Sequence, residues 1–157
     1  MGTLDPWPRA WLFAPADDRR KLNRALSSGA EAVIADLEDS VAPGRKEDAR
    51  ENALEFLRSP AGAPSAPRIV RINDPRGEHG RLDLERLRAA SPTVMVPKAS
   101  LAALDEVHAM GMPTVALVET AHGLAEVEQI AARERTIAVA IGTVDLAAEL
   151  GDRKSVV

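Results

Sequence analysis

Short apolar runs recur along this chain, and each ends in polar or charged residues. Six are visible: Trp11-Leu12-Phe13-Ala14, Ala32-Val33-Ile34-Ala35, Ile69-Val70, Val94-Met95-Val96, Val115-Ala116-Leu117-Val118 and Ile137-Ala138-Val139-Ala140-Ile141. They are closed in turn by Pro15, by Asp36 with Glu38 and Asp39, by Arg71 with Asn73, by Lys98, by Glu119, and by Gly142 with Asp145. The runs predict strands over about 11–14, 32–37, 68–73, 93–97, 114–119 and 137–142. Continuous Val and Ile suits strands buried on both faces, as in a parallel sheet.

Amphipathic stretches lie between the runs and predict helices. Asp17 is placed to cap a helix reaching about Ser28, which Gly29 stops in a left-handed turn. A second helix spans about Gly44–Arg58, with Ala49, Ala53, Leu54 and Leu57 as its apolar stripe. Further helices are expected over about Leu82–Ala90, Leu101–Met110 and Leu124–Arg133, and a last one from near Asp145 to Gly151. Ser59 to Pro67 is a connector rich in helix and strand breakers. The alternation is that of a βα repeat, in which the strand-closing side chains converge at the C-terminal mouth of the sheet. A closed barrel of this kind needs eight units and about 250 residues, so six units fit either a truncated barrel or an open doubly wound sheet. Neither GxGxxG after the first strand nor GxxxxGK[ST] is present to support the open sheet.

Bulk properties remove other classes. The chain has 157 residues, about one domain, and 45% hydrophobic residues, enough for a core. A net charge of −4 with only two Trp and two Phe offers no basic stripe or aromatic platform for nucleic acid. The absence of Cys excludes disulfides, Fe–S clusters and thiol nucleophiles. No apolar run reaches the roughly 18 residues of a membrane span, and Met1 to Pro8 lacks a signal-peptide core, so a cytoplasmic protein is expected.

Six short motifs, in order over residues 9 to 151, resemble one family. Arg9-Ala10-Trp11-Leu12-Phe13-Ala14-Pro15 resembles the opening strand of the citrate lyase beta subunit and related acyl-CoA lyases. Ala35-Asp36-Leu37-Glu38-Asp39-Ser40-Val41-Ala42-Pro43, with Lys46 and Ala49-Arg50, resembles the acidic second-strand motif. Arg71-Ile72-Asn73, Val96-Pro97-Lys98, Leu117-Val118-Glu119-Thr120-Ala121, and Gly142-Thr143-Val144-Asp145-Leu146 with Leu150-Gly151 resemble the third to sixth. The resemblance implies a TIM (β/α)8-type barrel of the HpcH/HpaI aldolase and citrate lyase superfamily, truncated here after about six βα units. It also implies a carbon–carbon lyase or aldolase that uses Mg²⁺ and acts on an acyl-CoA ester, citryl-CoA-like or malyl-CoA-like, to give acetyl-CoA and a 2-oxo acid. A homo-oligomer, often a trimer, goes with it. By the motif match Glu119 and Asp145 are the metal ligands, and Arg71 is the clamp for a substrate carboxylate. The family has Pro-Gly after its first strand where this chain has Pro15-Ala16.

The chemistry is coherent on its own terms. Glu119 closes one apolar strand and Asp145 follows the next, so neighbouring strands bring both to one mouth. Two carboxylates with open positions suit Mg²⁺, which keeps waters and bridges to substrate oxygens. Arg71 offers a planar fork for a carboxylate. Asp36, Glu38, Asp39 and Lys98 are expected around these groups, orienting metal waters or the cations. Simpler roles exist for most of them. Asp145 precedes a helix and fits a cap, Arg71 fits an ion pair with Asp36 or Glu38, and Lys98 lacks the setting of a Schiff-base lysine. His79 and His108 read as surface residues, while His122 follows Glu119 closely enough to line the mouth. The alternatives to the acyl-CoA lyase are a CoA-independent 2-oxo-acid aldolase, and a non-catalytic subunit or inactive fragment.

Residues 1–151 thus form a partial barrel domain, and 152–157 read as a non-native tail. Asp152-Arg153-Lys154-Ser155-Val156-Val157 has neither helix nor strand logic. We expect it to be encoded as GAT CGG AAG AGC GTC GTG, the reading of a common short-read sequencing adapter that runs next into an in-frame TAG. Long-read sequencing of the source DNA across codon 151 is expected to show the frame continuing into about two further βα units. A different codon string for the hexapeptide, followed by a genuine stop, would remove the adapter explanation.

Overall fold

The computed structural model describes residues 8–59 and 66–151. The expected tail at 152–157 and most of the 59–67 connector lie outside the described residues. The chain divides into two compact units, one ending at Val70 and one beginning at Arg71.

In the first unit, β1 (Trp11–Pro15), β2 (Ala32–Asp36) and β3 (Arg68–Arg71) lie side by side in chain order, β3 ending where the second unit begins. β1 and β2 pair in parallel, Trp11 against Ala32 through Pro15 against Asp36. Every residue of β2 is buried, in keeping with the apolar run Ala32–Ala35 that precedes Asp36. Helix α1 (Arg19–Leu26) follows β1, and a 3₁₀ turn (Pro43–Arg45) leads into α2 (Lys46–Arg58) after β2. The cap of α1 is Asp18 rather than the expected Asp17; its carboxylate accepts from the N–H groups of Arg20 and Lys21. Gly29 takes the left-handed conformation, φ +81, as the sequence suggested. Arg68 on β3 closes the far end of α2, donating to the carbonyls of Phe56 at 2.6 Å and Ser59 at 2.5 Å.

The second unit holds β4 (Thr93–Val96), β5 (Thr114–Val118) and β6 (Thr136–Ile141), again parallel and in chain order. Its helices are α3 (Glu78–Leu87), α4 (Leu101–Ala109), the short α5 (Ala121–Ala125) and α6 (Val127–Ala131), and α7 (Thr143–Glu149). β5 is buried throughout. β6 is half-open, with Val139 and Ile141 exposed, and no residue of α7 is buried.

Most helices fall within about two residues of their expected limits; two start clearly earlier, and glycines lie at both starts. α3 runs Glu78–Leu87, starting earlier than the expected Leu82 and ending before the expected Ala90, with two glycines at its start. Gly77 is the N-cap, and Gly80 lets α3 press against the Asp74 backbone. The stretch expected as one helix over about 124–133 is two short helices, beginning at Ala121 just ahead of Gly123 and interrupted at Glu126. Gly123 packs against the Ala99 carbonyl, where no Cβ fits.

Alanine is the better helix former by up to about 1 kcal/mol. Gly80→Ala is nevertheless expected to destabilise the protein by about 2–3 kcal/mol, because its Cβ would overlap the Asp74 carbonyl. Denaturant unfolding checks this; an unchanged or raised midpoint would contradict it.

Candidate functional site

The strand ends of the second unit carry its polar residues. Arg71 closes β3, and the next residue, Ile72, donates its N–H to the Met95 carbonyl of β4 at 3.2 Å, which sets this segment beside β4. Lys98 lies two residues past the end of β4, Glu119 directly after β5, and Asp145 in the first turn of α7 after β6. The parallel pairing of β4, β5 and β6 therefore brings Lys98, Glu119 and Asp145 to one end of the sheet.

Glu119 is the buried member, only 4% exposed. Its Oε1 accepts the backbone N–H of Lys98 at 2.8 Å. On its other side stands Gly142, whose own N–H donates to the Val118 carbonyl at 2.9 Å. A Cβ at Gly142 would come within 2.6 Å of Glu119 Cβ and 2.8 Å of Oε2, so only glycine fits. Burial pushes the Glu119 carboxyl above the ordinary carboxylate range. The Lys98 N–H pulls it down, the Asp145 charge adds to the rise, and the charges of Lys98 and Arg71 work against it. All three charged neighbours are thus felt at this carboxylate.

Asp145 is exposed and stands third in α7. It is not a cap: the N-cap is Gly142, and no side chain caps this helix. Among the described residues no group of three or more His, Cys, Asp or Glu is arranged to hold a metal. The Asp145 charge is felt at Glu119, so these two carboxylates are the candidate donor set. That set fits an ion such as Mg²⁺, which takes one or two protein carboxylates and completes its shell with water and substrate oxygens.

The loops around this end are tightly organised. Asp83, fully buried on α3, accepts from both the backbone N–H (2.8 Å) and the side-chain amide (2.7 Å) of Asn73. This pins the loop that follows Arg71. Asp74 in the same loop has its carboxyl held below its ordinary value. Burial opposes this, and Arg76, donating from both backbone and guanidinium, outweighs it with help from the Lys98 charge. Glu126 accepts the N–H of Leu101 at 2.8 Å and lies 3.4 Å from His122, tying the break between α5 and α6 to the start of α4. Asp83 and Glu126 escaped the sequence reading, and Gly142 entered it only as a strand-closing motif residue. Asp83 looks like any surface acid of a charged helix, and only the three-dimensional neighbour reveals its role.

The acidic second-strand residues lie in the first unit. Asp36 accepts from two amides of its own loop, Glu38 N–H at 2.9 Å and Ser40 N–H at 3.2 Å. Glu38 is buried and Asp39 exposed. Lys46 is buried and donates to the carbonyls of Leu37 and Glu38 at 2.6 and 2.7 Å, so it fastens this loop to α2. His122 is exposed. His108, expected at the surface, is half-buried, and burial with the nearby Arg133 and Arg135 lowers its pKa.

A family model described as HpcH/HpaI aldolase/citrate lyase matches residues 9–156. Among curated proteins, a (3S)-malyl-CoA thioesterase of Cereibacter sphaeroides is 40% identical over 92% of this chain and 52% of its own length. A citrate lyase subunit beta-like protein of Mycobacterium tuberculosis is also 40% identical, over 92% and 51%. A solved structure of the M. tuberculosis citrate lyase beta subunit, complexed with oxaloacetate and magnesium, superposes with a TM-score of 0.79. It is 37% identical and is matched over 96% of this chain and 65% of its own. The chain spans about half the length of the curated relatives it matches.

Because its folded pKa is raised, Glu119 favours the protonated fold. Its share of stability falls as pH rises from the ordinary 4.5 through the raised folded value, and the penalty is complete above it. Glu119→Gln keeps an acceptor for the Lys98 N–H and removes the buried charge. In metal-free buffer it is expected to be more stable at neutral pH by on the order of 1 kcal/mol, with the gap closing as pH falls from the raised folded value to about 4.5. Thermal melts across that range check it; a Gln variant less stable at neutral pH would refute it.

Proposed function

Since the chain belongs to the HpcH/HpaI aldolase/citrate lyase family, we propose that it is part of an Mg²⁺-dependent carbon–carbon lyase acting on an acyl-CoA ester, citryl-CoA-like or malyl-CoA-like. The products are acetyl-CoA and a 2-oxo acid. The observation that carries this reading is the buried Glu119 carboxylate with Asp145, Arg71 and Lys98 all close enough to bias its ionisation. Glu119 and Asp145 are the residues that would hold the ion. Bound there, Mg²⁺ supplies Lewis acidity toward the carbonyl of a 2-oxo acid.

The chain's own groups do the rest. Arg71 presents a bidentate donor pair to a substrate carboxylate. The Asn73–Asp83 pair holds the loop behind Arg71, so the guanidinium starts from a defined backbone position. Lys98 adds positive charge where an anionic substrate arrives. A cytoplasmic homo-oligomer, a trimer at full length, belongs to the same reading. A second reading is hydrolysis of the thioester, favoured by the thioesterase name of one relative at 40% identity.

The test uses the 157-residue chain and a version extended to the length of its relatives, with Mg²⁺ and either citryl-CoA or malyl-CoA. Lyase activity releases a 2-oxo acid and leaves the CoA thiol acylated, whereas hydrolysis releases free thiol. No product from either substrate with the extended protein would sink the acyl-CoA reading and favour the CoA-independent aldolase, testable with pyruvate and an aldehyde. Arg71→Lys is expected to raise KM about 10-fold or more by losing the bidentate fork, with a smaller change in kcat.

A further inference from the structure

Lys98 has φ +46 and, among the described residues, is one of two non-glycine residues in the left-handed region, the other being Ser91 in the α3–β4 turn. For a residue with a long side chain this conformation costs roughly 1–2 kcal/mol, and it persists only where surroundings dictate it. Here they do. On one side Ala99 donates its N–H to the Leu117 carbonyl at 3.0 Å. Further on, Ser100 caps α4 through the Ala103 N–H, and Leu101 donates to Glu126. The chain is therefore fixed from Ala99 to Leu101, and Lys98 is the residue that absorbs the turn. The turn aims the Lys98 N–H at Glu119 Oε1, 2.8 Å away, while its side chain stays exposed. The opposite side of the same carboxylate rests against Gly142, which admits no side chain.

We propose that the left-handed backbone of Lys98 and the bare Cα of Gly142 are positioning elements for Glu119: the amide of one occupies Oε1, and the missing Cβ of the other leaves Oε2 its place as the oxygen offered to a cation. The functional group of Lys98 toward Glu119 is its backbone N–H, and its ammonium is dispensable for that task. This rests on the reading of Glu119 as a metal ligand, but the clamp itself is a property of the metal-free fold.

Two measurements test it. The first is a stability cycle without metal. Gly142→Ala is expected to lower Tm by about 5 °C or more in the native background, and by far less in a Glu119→Gly background, where the atoms it would strike are gone. An equal drop in both backgrounds would overturn the clamp. The second is Mg²⁺ affinity by calorimetry, with circular dichroism as the fold control. Lys98→Gly and Lys98→Met keep the backbone N–H and remove a cation beside the ion, so both are expected to bind Mg²⁺ as tightly as the native chain or more tightly. Gly142→Ala is expected to lose about 10-fold or more. Loss in Lys98→Met comparable to that in Gly142→Ala would make the ammonium the working group and refute the proposal. If the native chain takes up no Mg²⁺, the metal reading fails, and the stability cycle still decides the clamp.

Discussion

A carboxylate that ends a fully buried strand cannot be left to find its own position. Water is excluded from most of Glu119, and the cost of charging it there must be offset by groups brought up from elsewhere in the chain. The second unit is arranged around that constraint. The β4–α4 loop turns through an unfavourable backbone conformation to deliver one amide, and the β6–α7 connection approaches so closely that it tolerates no side chain. Two cations and a second carboxylate stand near enough to tilt the ionisation in opposite directions. The outcome is an acid whose ordinary stability contribution has been given up for a fixed orientation, a trade common where a site must meet a ligand.

The same logic recurs one layer out. Asn73 and Asp83 pin the loop behind Arg71, Gly80 lets α3 sit against that loop, and Gly123 and Glu126 fasten the start of α4 to the turn after β5. None of these residues is needed to touch a substrate. Each removes a way for the strand-end side chains to drift, and drift at such a site weakens catalysis steeply. In the first unit the equivalent work falls to Asp36 and Lys46, which bind the β2–α2 loop to itself and to its helix.

The strands were legible to within a residue or two because each is a short apolar run, even β1 and β6, which are partly exposed, and Glu119, Arg71 and Lys98 were legible as the charges that close such runs. The six ordered motifs then supplied the family, which the matched model bears out. What stayed hidden depends on pairs far apart in sequence. Nothing around Gly142 announces that Glu119 lies against it, and nothing in the charged face of α3 marks Asp83 as fully buried. The starts of two helices were set too late, and Gly77, Gly80 and Gly123 lie at those starts. In the structure they are places where backbones approach. Asp18 displaced Asp17 as a cap because two adjacent aspartates offer the same local chemistry, and only the helix phase separates them.

The two carboxylates of the site stand on unequal ground. Glu119 belongs to a strand with no exposed residue, whereas Asp145 rides on α7, a short helix with no buried one, beside a strand that is itself half-open. An ion held between them would join a rigid element to one that opens at little cost. Part of its binding energy would then be spent on ordering α7, so the measured affinity would understate the strength of the contacts. The outer edge of the second unit would become as firm as the ion concentration allows, its local stability rising with the logarithm of free cation rather than being fixed by packing.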